Sequence, residues 1–137
     1  MGFRYLITLL AFVASAATAQ TVGIHTVSVH EHSGFNNVNP GLYLRYASGL
    51  TAGFYRNSYR RESAYLGYTI ETPQWRDFSA AVTVGGVTGY PAASVMPLVV
   101  PSIAYHFDQS TVRLGIVPRP PKTGAAAALH LMFEQHL

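Results

Sequence analysis

Apolar side chains recur at every second position along almost the whole chain after Gln20, and this period of two constrains the fold more than any other feature of the sequence. Gly, Pro, Asn or Ser, residues that favour turns, bound each alternating segment. Successive side chains of a β-strand point to opposite faces, so the pattern predicts strands rather than helices. Eight strands are predicted, over Thr21–His32, Gly41–Ser48, Thr51–Ser58, Ser63–Glu71, Trp75–Val87, Pro97–Phe107, Thr111–Val117 and Ala125–Gln135.

The two faces of these predicted strands differ in character. One face is apolar, with residues such as Leu42, Leu44, Tyr46, Ala64, Leu66, Tyr68, Ile70, Phe78, Val82, Leu114 and Ile116. The opposite face is mixed and includes Tyr43, Arg45, Ser63, Tyr65, Thr69, Glu71 and Arg113. An apolar exterior around a polar lumen is the arrangement of outer-membrane barrels. Periodicity alone does not tell inside from outside, and a soluble barrel with an apolar interior has the same alternation.

The connections between the predicted strands alternate in length. The short ones are Ser48–Leu50, Thr72–Gln74 and Asp108–Ser110, and the long ones are Ser33–Pro40, Asn57–Glu62, Thr88–Met96 and Pro118–Gly124. Short periplasmic turns and long outward loops are typical of outer-membrane barrels. We therefore predict an all-β protein, an eight-stranded antiparallel transmembrane β-barrel. Its long loops carry cations that either face anionic lipid phosphates or are simply solvated: Arg60, Arg61, Arg119 and Lys122.

The N-terminus has the features of an export signal. Arg4 precedes an apolar run from Tyr5 to Val13, and small residues follow up to Ala19. A membrane anchor would need roughly 20 apolar residues, about twice the length of this run. We therefore predict a signal peptide at residues 1–19 and a barrel domain at residues 20–137 in the outer membrane. The chain has no cysteine, so we expect neither disulfides nor a lipoprotein anchor, and a closed sheet in lipid is one other source of stability.

Several segments resemble one known family. They are Phe35–Leu42, Gly53–Tyr59, Ala64–Tyr68, Met96–Tyr105 and Ile116–Pro118, which resemble, in order and spacing, segments of the lipid A palmitoyltransferase family. Together they span most of the predicted domain. That family is an eight-stranded outer-membrane barrel that moves a palmitoyl chain from a phospholipid to lipid A. The resemblance implies an acyltransferase that works without a cofactor, as a monomer, with phospholipid, lipid A and the bilayer as its partners.

The same resemblance implies which residues are catalytic. The family uses a histidine near the end of its first strand and an Asp-Ser pair near the end of its third, which match His30 and Asn57-Ser58 here. Acyl transfer needs an activated hydroxyl and a base within hydrogen-bond reach. Asn57 stands where the family has the acid and carries no charge, so Asn57→Asp should raise activity if that carboxylate matters. His25 and His32 stay open as alternative bases.

Two prolines lie inside one predicted strand, Pro97 and Pro101, and a proline has no N–H to donate to a strand ladder. Strand pairing there should be weak, and the resemblance implies that a lipid tail passes sideways through such a seam. Alternatively, these prolines only start or end strands.

Other classes of site and partner find less support. His30, Glu31 and His32 cluster potential metal ligands, but on a strand Glu31 points away from both histidines, so no metal site is predicted. The formal net charge of +3 does not indicate nucleic acid. Besides the acyltransferase, two functions stay open: a non-catalytic barrel of the same descent with a structural or lipid-binding role, which Asn57 favours, and a soluble periplasmic barrel that binds an apolar ligand.

Overall fold

A computed structural model describes residues 19–118 and 126–137. The described residues form eight strands and no helix: β1 (Thr21–His30), β2 (Val38–Arg45), β3 (Leu50–Arg56), β4 (Glu62–Glu71), β5 (Phe78–Thr88), β6 (Val95–Phe107), β7 (Ser110–Val117) and β8 (Ala128–His136). The predicted signal peptide lies, apart from Ala19, outside the described residues.

The strands form one closed antiparallel barrel in which each strand pairs with its neighbours in sequence. Closure comes from the pairing of β1 with β8, where Thr21 lies opposite His136. The predicted all-β, eight-stranded antiparallel barrel is therefore confirmed. Strand ends differ from the prediction by a few residues. For example, β5 begins at Phe78 rather than Trp75, because Arg76 adopts a left-handed conformation (φ 54°) that interrupts the extended backbone.

The barrel is polar inside and apolar outside, as the two predicted faces require. Leu66, Ile70 and Ile103 expose 59%, 66% and 54% of their surface on the outer face. Side chains buried in the lumen include Thr51, Ser63, Thr69, Arg113 and Glu134. A barrel that is soluble in water would instead expose a mostly polar outer face.

A β-bulge lies in the middle of β1. The pairing of β1 with β2 slips between His25 and Val27, and its pairing with β8 slips between His25 and Ser28. Residues three apart on a regular strand point to opposite faces, but the extra residue of a bulge restores them to the same face. His25 and Ser28 are consequently both buried inside the barrel.

The seam between β6 and β7 is only partly closed. β6 pairs with β5 from Val95 to Tyr105, but it pairs with β7 only from Ser102 to Phe107. Ser102 lies opposite Gly115, so the same register would place Pro101 opposite Ile116, and that pair does not form. Weak pairing at Pro101 is thus confirmed. Pro101 has no N–H for the ladder, which explains why the pairing stops at this residue.

The connections follow the predicted alternation only in part. Residues 46–49 and 108–109 form short turns, but the connection between β4 and β5 covers residues 72–77 and is longer than predicted. We call the barrel end with connections 31–37, 57–61, 89–94 and 118–127 the loop end, and the opposite end the turn end. In the part of the chain that the structure describes, no helix is long and apolar enough to cross a membrane.

Candidate functional site

A cavity of about 950 Å³ extends from the loop end into the lumen as far as Arg45, Thr51 and Arg113. Small-molecule sites usually occupy about 300–1,000 Å³, so this cavity is large for so short a chain. Most of its wall is apolar, and the contributing side chains include Val87, Met96, Leu98, Val100, Val117 and Met132. The cavity therefore suits an apolar chain better than a polar solute.

The cavity also reaches the side of the barrel. Five consecutive residues of β6, from Met96 to Val100, all line it. Successive residues of a strand face opposite sides of the sheet, so all five can contact one cavity only if it reaches an unpaired edge of the strand. This edge is the stretch of β6 that lacks pairing with β7. Among the described residues, the cavity thus extends from the loop end to the β6–β7 seam.

His30 and Ser58 both line this cavity, near its loop-end mouth. His30 Nδ1 lies 2.6 Å from Asn37 Oδ1, and its ring stacks on Phe35 with 5.0 Å between ring centroids. No hydrogen bond joins His30 to Ser58 among the described residues. The structure brings the two residues to one cavity without direct contact, and their catalytic roles stay predictions.

Asn57 is completely buried and all its amide atoms are engaged. Its Oδ1 accepts hydrogen bonds from the backbone N–H groups of Tyr59 (2.8 Å) and Arg61 (3.1 Å). Its Nδ2 donates to Ser63 Oγ and to the Gly89 carbonyl oxygen, both at 2.9 Å. The amide thus holds the connection 57–61 to the connection 89–94. A supporting role toward Ser58 in catalysis stays a prediction.

The two alternative histidines lie in different places. His32 is exposed, 3.8 Å from the Glu31 carboxylate, and contacts the ring of Phe35. His25 is buried in the lumen and lines the cavity. Of the two, only His25 belongs to a larger polar arrangement.

That arrangement is a hydrogen-bonded chain of four side chains that all line the cavity. Ser28 Oγ lies 2.7 Å from His130 Nδ1, His130 Nε2 lies 2.9 Å from His25 Nδ1, and His25 Nε2 lies 2.9 Å from the Tyr65 hydroxyl. The sequence analysis missed Ser28 and His130 as site residues. The only available signal was that His130 alternates with Leu129 and Leu131, which places it in the lumen but gives no partner.

The chain of hydrogen bonds couples the tautomers of the two imidazoles, so that the tautomer of one determines the tautomer of the other. A neutral imidazole has one N–H donor and one acceptor nitrogen. If Ser28 donates to His130, then His130 donates to His25 and His25 donates to Tyr65. The reverse order is equally consistent, so a proton can enter the chain at either end.

An ionic network forms the floor of the cavity, where Tyr43, Arg45 and Arg113 line it. The Glu134 carboxylate accepts hydrogen bonds from Arg45 (2.7 Å), from Arg113 (3.0 Å) and from the Tyr43 hydroxyl (2.6 Å). Arg113 also donates to Glu71 at 2.5 Å. Two cations and two anions balance each other, and together they close the lumen toward the turn end.

Aromatic side chains surround the loop-end mouth of the cavity. The Tyr55 and Tyr90 hydroxyls are 2.7 Å apart, and the Tyr59 ring contacts the rings of Tyr90 and Phe35. Burial raises the pKa of Tyr90 well above its ordinary value, so this hydroxyl stays neutral. The mouth therefore offers neutral hydroxyl groups and ring faces.

The sequence matches no protein-family model and no curated protein. Among the described residues, no group of three or more His, Cys, Asp or Glu side chains converges as metal ligands.

Proposed function

We propose that this protein is an outer-membrane acyltransferase that moves a fatty acyl chain, such as palmitoyl, from a phospholipid to lipid A. The observation that carries the proposal is the apolar cavity that reaches both the loop end and the β6–β7 seam at the side of the barrel. A soluble ligand-binding barrel has no use for a side opening, whereas a lipid in a bilayer could enter through one.

The outer surface supports a place in the bilayer. Large apolar side chains are exposed around the barrel, among them Leu66, Ile70, Val99, Ile103, Leu114, Ile116, Leu129 and Phe133. Strand pairing satisfies most backbone groups within the barrel, which lipid requires because it offers no hydrogen bonds. Such an exterior would be unfavourable in water.

The β6–β7 seam supports entry of the donor lipid from the side. An acyl chain that passes between Pro101 and Ile116 would reach a wall of aliphatic and Met side chains without crossing a continuous ladder. The ionic network around Glu134 would stop it below. The lumen would then act as a closed acyl pocket rather than as a pore.

Residues at the loop end favour binding of the acceptor, lipid A, at this end of the barrel. Arg60 and Arg61 are exposed on the connection 57–61, which also carries Ser58. Guanidinium groups bind phosphates well, and lipid A carries phosphates. An acceptor held there would present its hydroxyls at the mouth that His30 and Ser58 line.

A second candidate, a lipid-binding barrel without catalysis, is favoured by Asn57. Its amide occupies the place of the family's acid and is committed to four structural hydrogen bonds. Such a barrel would hold an acyl chain without transferring it.

Mass spectrometry of lipid A from cells with and without the gene tests the proposal. We expect the mass of one added acyl chain only where the protein is made. Loss of this added mass in His30→Ala or Ser58→Ala, but not in the exposed control Ser94→Ala, would assign catalytic roles to His30 and Ser58. Unchanged lipid A in cells with the assembled protein would favour the non-catalytic barrel.

A further inference from the structure

We infer that Ser28 and His130 form a nucleophile and base inside the lumen, so that the transferred acyl chain is held for a time as an ester of Ser28. This inference rests on the proposed acyl transfer and adds to it a covalent step and two catalytic residues. It also assigns to His25 the role of a positioning residue for His130.

The geometry of the hydrogen-bonded chain carries the inference. An activated serine needs a base within about 2.6–3.2 Å, and that base is usually oriented by a third group. The Ser28–His130 distance is 2.7 Å, and His25 holds the other nitrogen of His130 at 2.9 Å. Tyr65 in turn holds His25. All four side chains line the same apolar cavity, so a lipid ester inside it can meet the serine.

Other buried serines of the barrel differ from Ser28 in their partner or their access. Ser102 accepts a hydrogen bond from the Arg113 guanidinium, which cannot serve as a base, and Ser63 accepts one from the Asn57 amide. Ser79 lies 2.7 Å from His106 Nε2, but it is near the turn end and is not among the residues that line the cavity. Ser79 is therefore a matched control, a Ser–His pair of the same length without access to the acyl pocket.

Gly115 lies between the β6–β7 seam and this pair. Gly115 is the last residue of β7 that pairs with β6, and on its other side it lies opposite His130 of β8. A side chain on Gly115 would crowd Val100 and Met132, which would be 3.2 and 3.1 Å from its Cβ. Because Gly115 has none, only the side chains of Val100 and Met132 cover the wall between the seam and His130.

The reaction then has two balanced halves. Ser28 Oγ attacks the ester carbonyl carbon of the phospholipid while its proton passes to His130, and the bond from that carbon to the glycerol oxygen breaks as the oxygen takes the proton from His130. This leaves a lysophospholipid and acyl-Ser28. A hydroxyl of lipid A attacks the acyl carbon next, gives its proton to His130, and the proton returns to Ser28 as the acyl–serine bond breaks.

A long-chain alkyl fluorophosphonate, which modifies activated serines, tests the inference on the full protein in outer-membrane vesicles. The modified residue is mapped by peptide mass spectrometry, and lipid A from the same cells is analysed in parallel. We expect the label on Ser28 of the unaltered protein, so the principal result does not depend on whether a variant folds. His130→Ala should slow labelling by about 100-fold or more, since a general base contributes at least that factor.

Two further variants separate catalysis from structure. Ser79→Ala should leave labelling unchanged. His25→Asn, whose amide oxygen can still accept from His130, should keep much more labelling than His25→Ala, whereas a purely structural His25 would give two variants that label alike. Folding of each variant is checked by heat-modifiable migration on gels.

The remaining outcomes separate the inference from the proposed function. Label on Ser58 alone, labelling that persists at full rate in His130→Ala, or acylated lipid A without label on Ser28 would each overturn the Ser28 assignment and leave acyl transfer standing. Absence of both label and added acyl chain would overturn both.

Discussion

Glu134 is the central side chain of the ionic network that closes the lumen toward the turn end. Its carboxylate is fully buried and contacts Arg45 and Arg113. Removing one partner of a buried ion pair is costly, because the opposite charge is left without compensation in a medium of low polarity.

Glu134→Gln should therefore lower the free energy of unfolding by about 3–5 kcal/mol. It leaves Arg45 and Arg113 with only Glu71 as a counter-charge. The measurement is denaturant unfolding in detergent, followed by heat-modifiable migration. The control, Glu62→Gln at the exposed start of β4, should change stability by less than about 0.5 kcal/mol. Equal losses in the two variants would contradict the ionic network.

The resemblance and the hydrogen bonds lead to different expectations for Asn57→Asp. The resemblance predicts higher activity, because the change restores the acid. The hydrogen bonds predict a less stable protein, because a carboxylate cannot donate to Ser63 or Gly89 and would face the Gly89 carbonyl oxygen. We expect a loss of about 1–3 kcal/mol and no gain in acyl transfer. Asn37→Asp, which keeps an oxygen for His30, is the stability control. Higher activity without a loss of stability would contradict this account of Asn57.

The sequence predicted the direction of many side chains but not their partners. Alternation placed Tyr43, Arg45, Tyr65, Glu71 and Arg113 on the lumen face, because a regular strand fixes the face of each residue. It could not bring Ser28 to His25, since the bulge in β1 breaks the period between them. Nor could it pair Ser28 with His130, which are 102 positions apart and meet only when β8 closes on β1.

β4 is the strand that best tests contact with lipid. Leu66 lies in its middle, on the outer face, and exposes 59% of its surface. Leu66→Arg should cost roughly 2–4 kcal/mol if this position lies at the centre of a bilayer. Ser94→Arg, in the connection between β5 and β6, is the matched control and should assemble normally. Normal assembly of Leu66→Arg, judged by its heat-modifiable fraction in membranes, would show that the outer face does not meet lipid.

The β6–β7 seam can be closed by design, because the chain has no native cysteine. A disulfide between Pro101→Cys and Ile116→Cys should abolish acyl transfer, and reduction should restore it, since the cross-link blocks the path of the acyl chain. The control pair, Ile103→Cys with Leu114→Cys, lies two positions further along the ladder, where the strands already pair. Transfer that continues in protein shown by gel to be cross-linked at 101–116 would contradict entry through the seam.

The number and the order of the strands were predictable because period two and turn residues recur throughout the chain. The residues at which strands begin and end were less predictable. The connection 72–77 was predicted too short because Trp75 reads as a strand residue, whereas it forms only an isolated bridge with Phe78. The weak seam was predictable from Pro101, because the missing N–H is a property of the residue itself.

In the part of the chain that the structure describes, Glu134 and its partners close the barrel toward the turn end. The cavity reaches the loop end and the β6–β7 seam, where part of β6 lacks pairing with β7. A channel would need both ends open, so this shape favours a pocket that takes a chain from the bilayer and gives it to an acceptor at the mouth.

Reconstitution is the decisive measurement. The purified full protein, shown to be folded by heat-modifiable migration, is placed in vesicles of phospholipid with a radiolabelled palmitoyl chain and of unlabelled lipid A. Thin-layer chromatography then follows the label. Our account predicts that label moves into lipid A and that a lysophospholipid appears in equal amount. Label that stays on the phospholipid would contradict the account and leave a barrel that binds lipid without acting on it.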